Sequence, residues 1–207
     1  MHEPGFPIDR LAAPRRVLVA ISGASGAIYG VRLLQALSAA PGIETHLVVS
    51  DAGWLTLCHE LGMGAQALSP LVHTLHSARD IGAGPASGSF KCSGMVIAPC
   101  SMRTLAAIAH GLSDNLLTRA ADVMLKERRR LVMMARETPL HLVHLRNMVS
   151  VTEMGAIVCP PVPAFYLRPQ TLDDVVDASV ARALDLLDVP HALGKRWSGL
   201  TPAPETT

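Results

Sequence analysis

Short runs, apolar except for the polar start of the second, punctuate the chain: Val17–Ile21, Glu44–Val49, Met95–Ala98, Leu131–Ala135 and Ala156–Cys159. Each ends at small or turn-forming residues: Ser22-Gly23, Ser50, Pro99-Cys100-Ser101, Arg136-Glu137-Thr138-Pro139 and Pro160. Runs this short, rich in β-branched residues, read as buried strands of a parallel sheet. Between them the apolar positions recur at helical spacing. One helix starts at Ile28, with Val31, Leu34 and Leu37 on or near one face. Others are predicted over Asp51–Leu61 with Gly62 as stop, Thr104–His110 ended by Gly111, Asn115–Arg128, Leu140–Glu153 before Gly155, and Leu172–Leu187. Leu71–Leu75 is a candidate edge strand. Ile81–Phe90 is a loop of small residues, long enough to carry function, and Pro160–Pro169 is an extended proline-rich loop.

Strands alternating with helices imply right-handed crossovers and a parallel sheet. The expectation is a single three-layer α/β domain, Rossmann-like or flavodoxin-like, over residues 16–190. A flexible arm (1–15) precedes it and a tail (191–207) follows. The ligand crevice of such a sheet lies at the carboxyl ends of the strands, where Ser22–Ser25, Ser50, Ser101 and Arg136-Glu137 fall. The first unit, Arg16–Leu37, runs strand, small-residue turn, helix. Its turn leaves backbone N–H groups and a helix dipole open to an anion, with the Ser25 hydroxyl beside them. The turn is neither G-x-G-x-x-G nor a Walker loop, and by itself it serves equally as a plain βα connection.

Composition narrows the function classes. At 207 residues the chain makes one domain, and with only 3% aromatic residues its core must be aliphatic. A net charge of +1 gives no electrostatic case for nucleic acid or an acidic membrane surface. The four cysteines, Cys58, Cys92, Cys100 and Cys159, form no C-x-x-C pair. That argues against zinc and disulfides and fits a reducing cytoplasm. The histidines show no H-E-x-x-H spacing, so no metal is expected. The first residues do not read as a signal peptide, and no apolar run approaches a membrane span.

Four segments carry a resemblance: SGASGAIYG, APCSMRTLAAIAHGLSDNLLTRAADVMLKERR, MMARETPL and PPVPAFYLRPQTLDDVVDASVAR. In order and spacing, from about Arg16 to Trp197, they resemble the UbiX/Pad family of flavin prenyltransferases. The resemblance implies an enzyme that joins a dimethylallyl group from dimethylallyl phosphate to N5 and C6 of reduced FMN, without a metal. It also implies trimers within a dodecamer, and a UbiD-type decarboxylase that receives the prenylated flavin. Residue by residue, it implies FMN binding by Gly23, Ala24, Ser25, Ser50, Ser101, Met102, Arg103, Thr104 and Arg136. It implies binding of the prenyl phosphate by Arg119, Lys126, Tyr166 and Arg182, active-site roles for Glu60 and Glu137, and closure of the site by Trp197.

These residue types suit the chemistry. Breaking an allylic C–O bond builds negative charge on the phosphate, which Arg119, Lys126, Arg182 and the Tyr166 hydroxyl would stabilise. Loss of the C6 proton calls for a base or relay. Glu60 or Glu137 is a candidate, with Ser25 orienting a proton path and Lys126 also assigned to catalysis. Apart from the resemblance, Lys126 to Arg130 is a solvated helix end, Arg182 a surface arginine and Tyr166 a packing residue. Two other functions fit the same fold: a flavin-dependent decarboxylase acting on a linked cysteine, and a non-catalytic flavin carrier. The K-E-R-R run with Tyr166 and Arg182 favours prenyl transfer.

Overall fold

The computed structural model describes residues 15–194, 196 and 199. Residues 1–14 of the expected arm, Trp197 and most of the tail lie outside the described residues, and Arg15, the arm's last residue, belongs to the first strand. Six strands, β1 (Arg15–Ile21), β2 (Ile43–Val49), β3 (Thr74–Ser77), β4 (Gly94–Cys100), β5 (Arg130–Ala135) and β6 (Ile157–Val158), form one sheet. Its order is β3-β2-β1-β4-β5-β6, and every pairing is parallel. The chain builds outward from β1 to one edge, then returns to β4 and builds to the other. The order therefore reverses between β1 and β4, and a crevice opens above their carboxyl ends.

The alternation of β1 explains the layers. Val17, Val19 and Ile21 face one side of the sheet, and Leu18 and Ala20 face the other. The first side is covered by α1 (Ala27–Ser38) and α7 (Leu172–Leu186), with Leu57 of α2 (Asp51–Leu61) and Leu68 of the short α3 (Ala65–Leu68) packed toward the β3 edge. The second side is covered by α4 (Met102–Ala109), α5 (Leu116–Lys126) and α6 (Leu142–Glu153). Both faces of β1 are dry, and each fully buried leucine or isoleucine contributes roughly 1.5–3 kcal/mol. The core is Leu, Val, Ile, Ala and Met.

Local chemistry sets the helix ends. Ser50, Ser101, Asn115 and Thr171 cap α2, α4, α5 and α7, each side chain accepting a backbone N–H. Thr171 and Asp174 complete a reciprocal capping box. Gly62, at φ 64°, ends α2 in the left-handed conformation. The edge strand falls at Thr74–Ser77 rather than Leu71–Leu75, because Ser69–Leu71, with Pro70, winds a 3-10 turn first. Among the described residues no helix is long and apolar enough to cross a membrane.

Candidate active site

The switch point is tied by one buried hydroxyl. Ser22 Oγ donates to the Pro99 carbonyl at 2.9 Å and accepts from the Ser101 N–H at 2.8 Å. This clamps the end of β1 to the end of β4. Gly23 follows, and a Cβ there would collide with Ala52, so the turn lies directly against the start of α2. Gly53 is equally constrained, since its Cβ would fall 2.5 Å from the Ile21 carbonyl oxygen.

Above these strand ends lies a cavity of about 370 Å³, lined by Gly23, Ser50, Asp51, Ala52, Ala78, Arg79, Ser101, Arg103, Thr104 and Asn115. Ser50, Ser101 and Asn115 are the N-caps of three different helices. The positive ends of α2, α4 and α5 therefore converge on one space, which is a setting for a phosphate or another anion. Two arginines stand at its edge, each held by a carboxylate: Arg79 by Asp51 at 2.9 Å and Arg103 by Asp114 at 2.6 Å. Arg79 and Arg103 are thus partly neutralised, and the convergent helix N-termini add to the positive field.

A second cluster sits on the α1 side of the same strand ends. Glu60, on α2, accepts from Gly26 N–H at 3.0 Å and Ala27 N–H at 2.9 Å. The helix end that the sequence leaves open to an anion is therefore occupied by the protein's own carboxylate. Burial opposes the charge on Glu60. The Ser25 hydroxyl, the two backbone N–H groups and the nearby Arg136 outweigh that and hold its carboxyl below the ordinary value. Burial raises the Tyr29 phenol, an effect Arg136 partly offsets. Ser25, Tyr29, Glu60 and Arg136 thus form one polar group. Glu137 lies next to it in sequence, exposed, and accepts from Thr138 N–H at 2.9 Å.

The phosphate residues expected from the sequence fall in two other places. Tyr166 and Arg182 line a cavity of about 600 Å³ between the 160–169 loop, α7 and the chain after it. Arg119 and Lys126 sit on α5. Arg119 pairs with Asp122 at 2.6 Å and donates to the Ala86 carbonyl at 3.2 Å. Lys126 is at the far end of the helix, paired with Glu127 at 2.6 Å. It lies about 15 Å along α5 from Leu116, next to the cavity-lining Asn115. Within one copy the structure groups Gly23, Ser50, Ser101, Arg103 and Thr104, and groups Ser25 with Glu60 and Arg136. It does not bring Lys126 to either group. Met102 is buried in the core and is not among the residues that line the cavity.

Two features were missed by sequence reasoning. Asn115 and Arg79 line the first cavity. Asn115 was readable as a helix cap, but its convergence with Ser50 and Ser101 was not. The 81–90 loop also runs alongside α5. A side chain on Gly88 would meet Lys126 Nζ at 3.0 Å, and Ser87 and Ser89 share a hydrogen bond of 2.8 Å. Hydroxyls, backbone and the Lys126–Glu127 ion pair therefore gather at the end of α5, with Glu127 Oε1 nearer to Gly88 than Lys126 Nζ is. Cys92 and Cys100 are buried, and burial pushes both thiols up, so neither is a poised nucleophile. Among the described residues no group of His, Cys, Asp or Glu is placed to hold a metal ion.

Comparisons with known proteins converge. The family described as Flavoprotein matches residues 8–188. The flavin prenyltransferase UbiX of Escherichia coli K12 is 56% identical over 187 residues, covering 89% of this chain and 99% of the relative. The crystal structure of AnUbiX (PadA1) in complex with FMN and dimethylallyl pyrophosphate superposes with a TM-score of 0.88 at 48% identity, covering 90% of this chain and 99% of that one. A dodecameric FMN-dependent UbiX-like decarboxylase from Escherichia coli O157:H7 gives 0.87 at 46% identity, covering 89% and 100%. The chain belongs to the flavoprotein family and, within it, to the UbiX-type flavin prenyltransferases.

Proposed function

We infer that this protein joins a dimethylallyl group, taken from a dimethylallyl phosphate donor, to reduced FMN. The observation that carries this reading is the cavity on which three helix N-termini converge. It lies at the switch point of a chain 48% identical to a structure holding FMN and dimethylallyl pyrophosphate. The residues present suit a flavin mononucleotide. The caps Ser50, Ser101 and Asn115 and the backbone at Gly23 offer donors and dipoles to its phosphate, and Thr104, Ala24 and Met102 border the same turn and helix start. Bound there, reduced FMN supplies the nucleophilic N5 and C6.

The chain's own groups account for the rest. Arg119, Lys126, Tyr166 and Arg182 hold the donor's phosphate and stabilise the charge that develops as its C–O bond breaks. Ser25 hydrogen-bonds Glu60, and the pair moves or holds a proton beside Arg136. Glu60 is a weak base, because the Ser25 hydroxyl, the α1 amides and Arg136 favour its charged form. Glu137, which is solvent-exposed, is the second carboxylate available for proton transfer. Trp197 belongs to the closing tail in this reading.

Because Lys126 stands at the end of α5 remote from the cavity, the site is completed by another copy of the chain. Leu142, Leu145 and Val149 expose one apolar face of α6, and Phe165 and Leu172 are also exposed, which suits homo-oligomer contacts. Trimers within a dodecamer, a UbiD-type decarboxylase as recipient of the product, and a cytoplasmic location belong to the same reading. The test is anaerobic turnover of FMN and dimethylallyl phosphate by the wild type and by Lys126→Ala and Arg182→Ala. Loss of transfer with FMN binding retained supports the phosphate assignment. Full transfer by both variants overturns it.

A further inference from the structure

Beneath the 81–90 loop lies a chain of titratable groups that the chemistry above does not use. Glu44 and His46 stand on β2, and His76 on β3. His46 Nε2 is 3.0 Å from Glu44 Oε1, and His46 Nδ1 is 2.9 Å from His76 Nε2. An ionised carboxylate only accepts, so His46 donates to Glu44 through Nε2; burial disfavours a charged His46, and the neutral ring then accepts through Nδ1. His76 therefore donates through Nε2. With both rings protonated the 2.9 Å contact has a proton on each facing nitrogen and no acceptor, so it survives only while at least one ring is neutral.

The loop rests on this relay through Phe90. The Phe90 ring meets His46 edge-on, at 5.0 Å between centroids and 89°. Arg16, bonded to Glu44 at 3.0 Å, lies 5.1 Å above the same ring. Phe90 also packs on Gly84, where a Cβ would fall 3.1 Å from its ring. The loop backbone is held at the same end by Arg129, which donates to the Phe90 and Gly88 carbonyls at 2.7 Å each. Ser87-Gly88-Ser89, the turn beside Lys126, is thus fastened to the sheet through Phe90.

We propose that the Glu44–His46–His76 relay is a positioning device for this loop, and that protonation of the histidines loosens the Ser87-Gly88-Ser89 turn and weakens the hold on the prenyl phosphate. The phosphate half of the statement rests on the function proposed above; the loop half does not. The groups facing the relay are Arg16 on β1, Glu44 on β2, and His73 and Asp80 flanking β3. Arg129 follows α5, and Arg119 and Asp122 pair with each other on α5, the helix packed over β2. A second positive charge at His46 would crowd Arg16 across the Phe90 ring. Burial, with the neighbouring cations, holds both rings below the ordinary histidine value. The native loop is therefore favoured above that value and loses support as pH falls through the lower, folded one.

His76→Gln keeps a donor toward His46 Nδ1 but cannot titrate. His76→Phe removes the donor. Hydrogen exchange of the 81–90 segment, corrected for the intrinsic pH dependence, is compared at about pH 7.5 and about pH 5.5, which bracket ordinary histidine titration. The wild type is expected to lose roughly threefold or more in protection on acidification, His76→Gln to lose little, and His76→Phe to be unprotected already at the higher pH. In turnover, the KM for dimethylallyl phosphate rises more steeply with acid in the wild type than in His76→Gln, while kcat changes alike in both. The donor's own ionisation is common to both proteins and cancels. Parallel loss of protection in wild type and His76→Gln overturns the proposal, whether or not the protein transfers a prenyl group. Absence of prenyl transfer with the exchange difference intact would instead overturn the functional reading.

Discussion

Glu60 caps a helix that is not its own: its carboxylate, on α2, accepts from the Ala27 N–H at the start of α1 at 2.9 Å. The same carboxylate faces Ser25 and Arg136, so one group secures the fold and stands in the candidate site. Glu60→Ala should cost about 1 kcal/mol, the usual cost of losing an N-terminal cap. Its folded pKa is lowered, so the stabilisation is present above the ordinary glutamate range and is lost as pH falls through the lower folded value. Chemical denaturation of wild type and Glu60→Gln from neutral to acidic pH checks this: the two stabilities should converge in acid.

Ser22 is the tie at the switch point, buried and bonded on both sides. Ser22→Ala leaves the Ser101 N–H without that acceptor and should cost roughly 1–3 kcal/mol. FMN affinity should fall with it, because Ser101 is the α4 cap lining the cavity. Denaturation and flavin titration measure the two effects on the same variant.

Gly30 lies where α1 crosses β4, and a Cβ there would run into the Ala98 carbonyl oxygen. Gly30→Ala must push α1 off the sheet and should destabilise by about 1–3 kcal/mol. Gly42→Ala gains no clash, since nothing lies within 4 Å, but its φ of 73° makes it mildly unfavourable. The order of the two melting temperatures is the check.

If one copy lends Lys126 to the site of another, two inactive variants should complement. Oligomers assembled from a mixture of Lys126→Ala and Arg136→Ala chains should recover part of the wild-type activity, through sites that receive an intact contribution from each. Activity no higher than that of the single variants would place both residues in the same copy's site.

Much of this was legible in the sequence because strands buried on both faces announce themselves. Val17–Ile21 and Leu131–Ala135 were readable to within two residues, and Gly62 marked the end of α2. What failed to show was non-local. Arg15 extends β1 because its guanidinium bonds the Leu187 and Asp188 carbonyls, which lie far along the chain. Glu60 fills the α1 end from a helix 34 residues further along the chain. The short edge strand β3 is only half buried and has no periodicity to read. Ser50, Ser101 and Arg136 could be placed at strand ends from pattern alone. The separation of Lys126 from the cavity became visible only when α5 was laid along the sheet.

The most direct measurement is the mass of the flavin released after anaerobic incubation of the protein with reduced FMN and dimethylallyl phosphate. The account predicts a gain of one five-carbon prenyl unit in the wild type and its loss in Lys126→Ala. FMN that binds and returns unmodified from the wild type would contradict it and favour a flavin carrier or a decarboxylase.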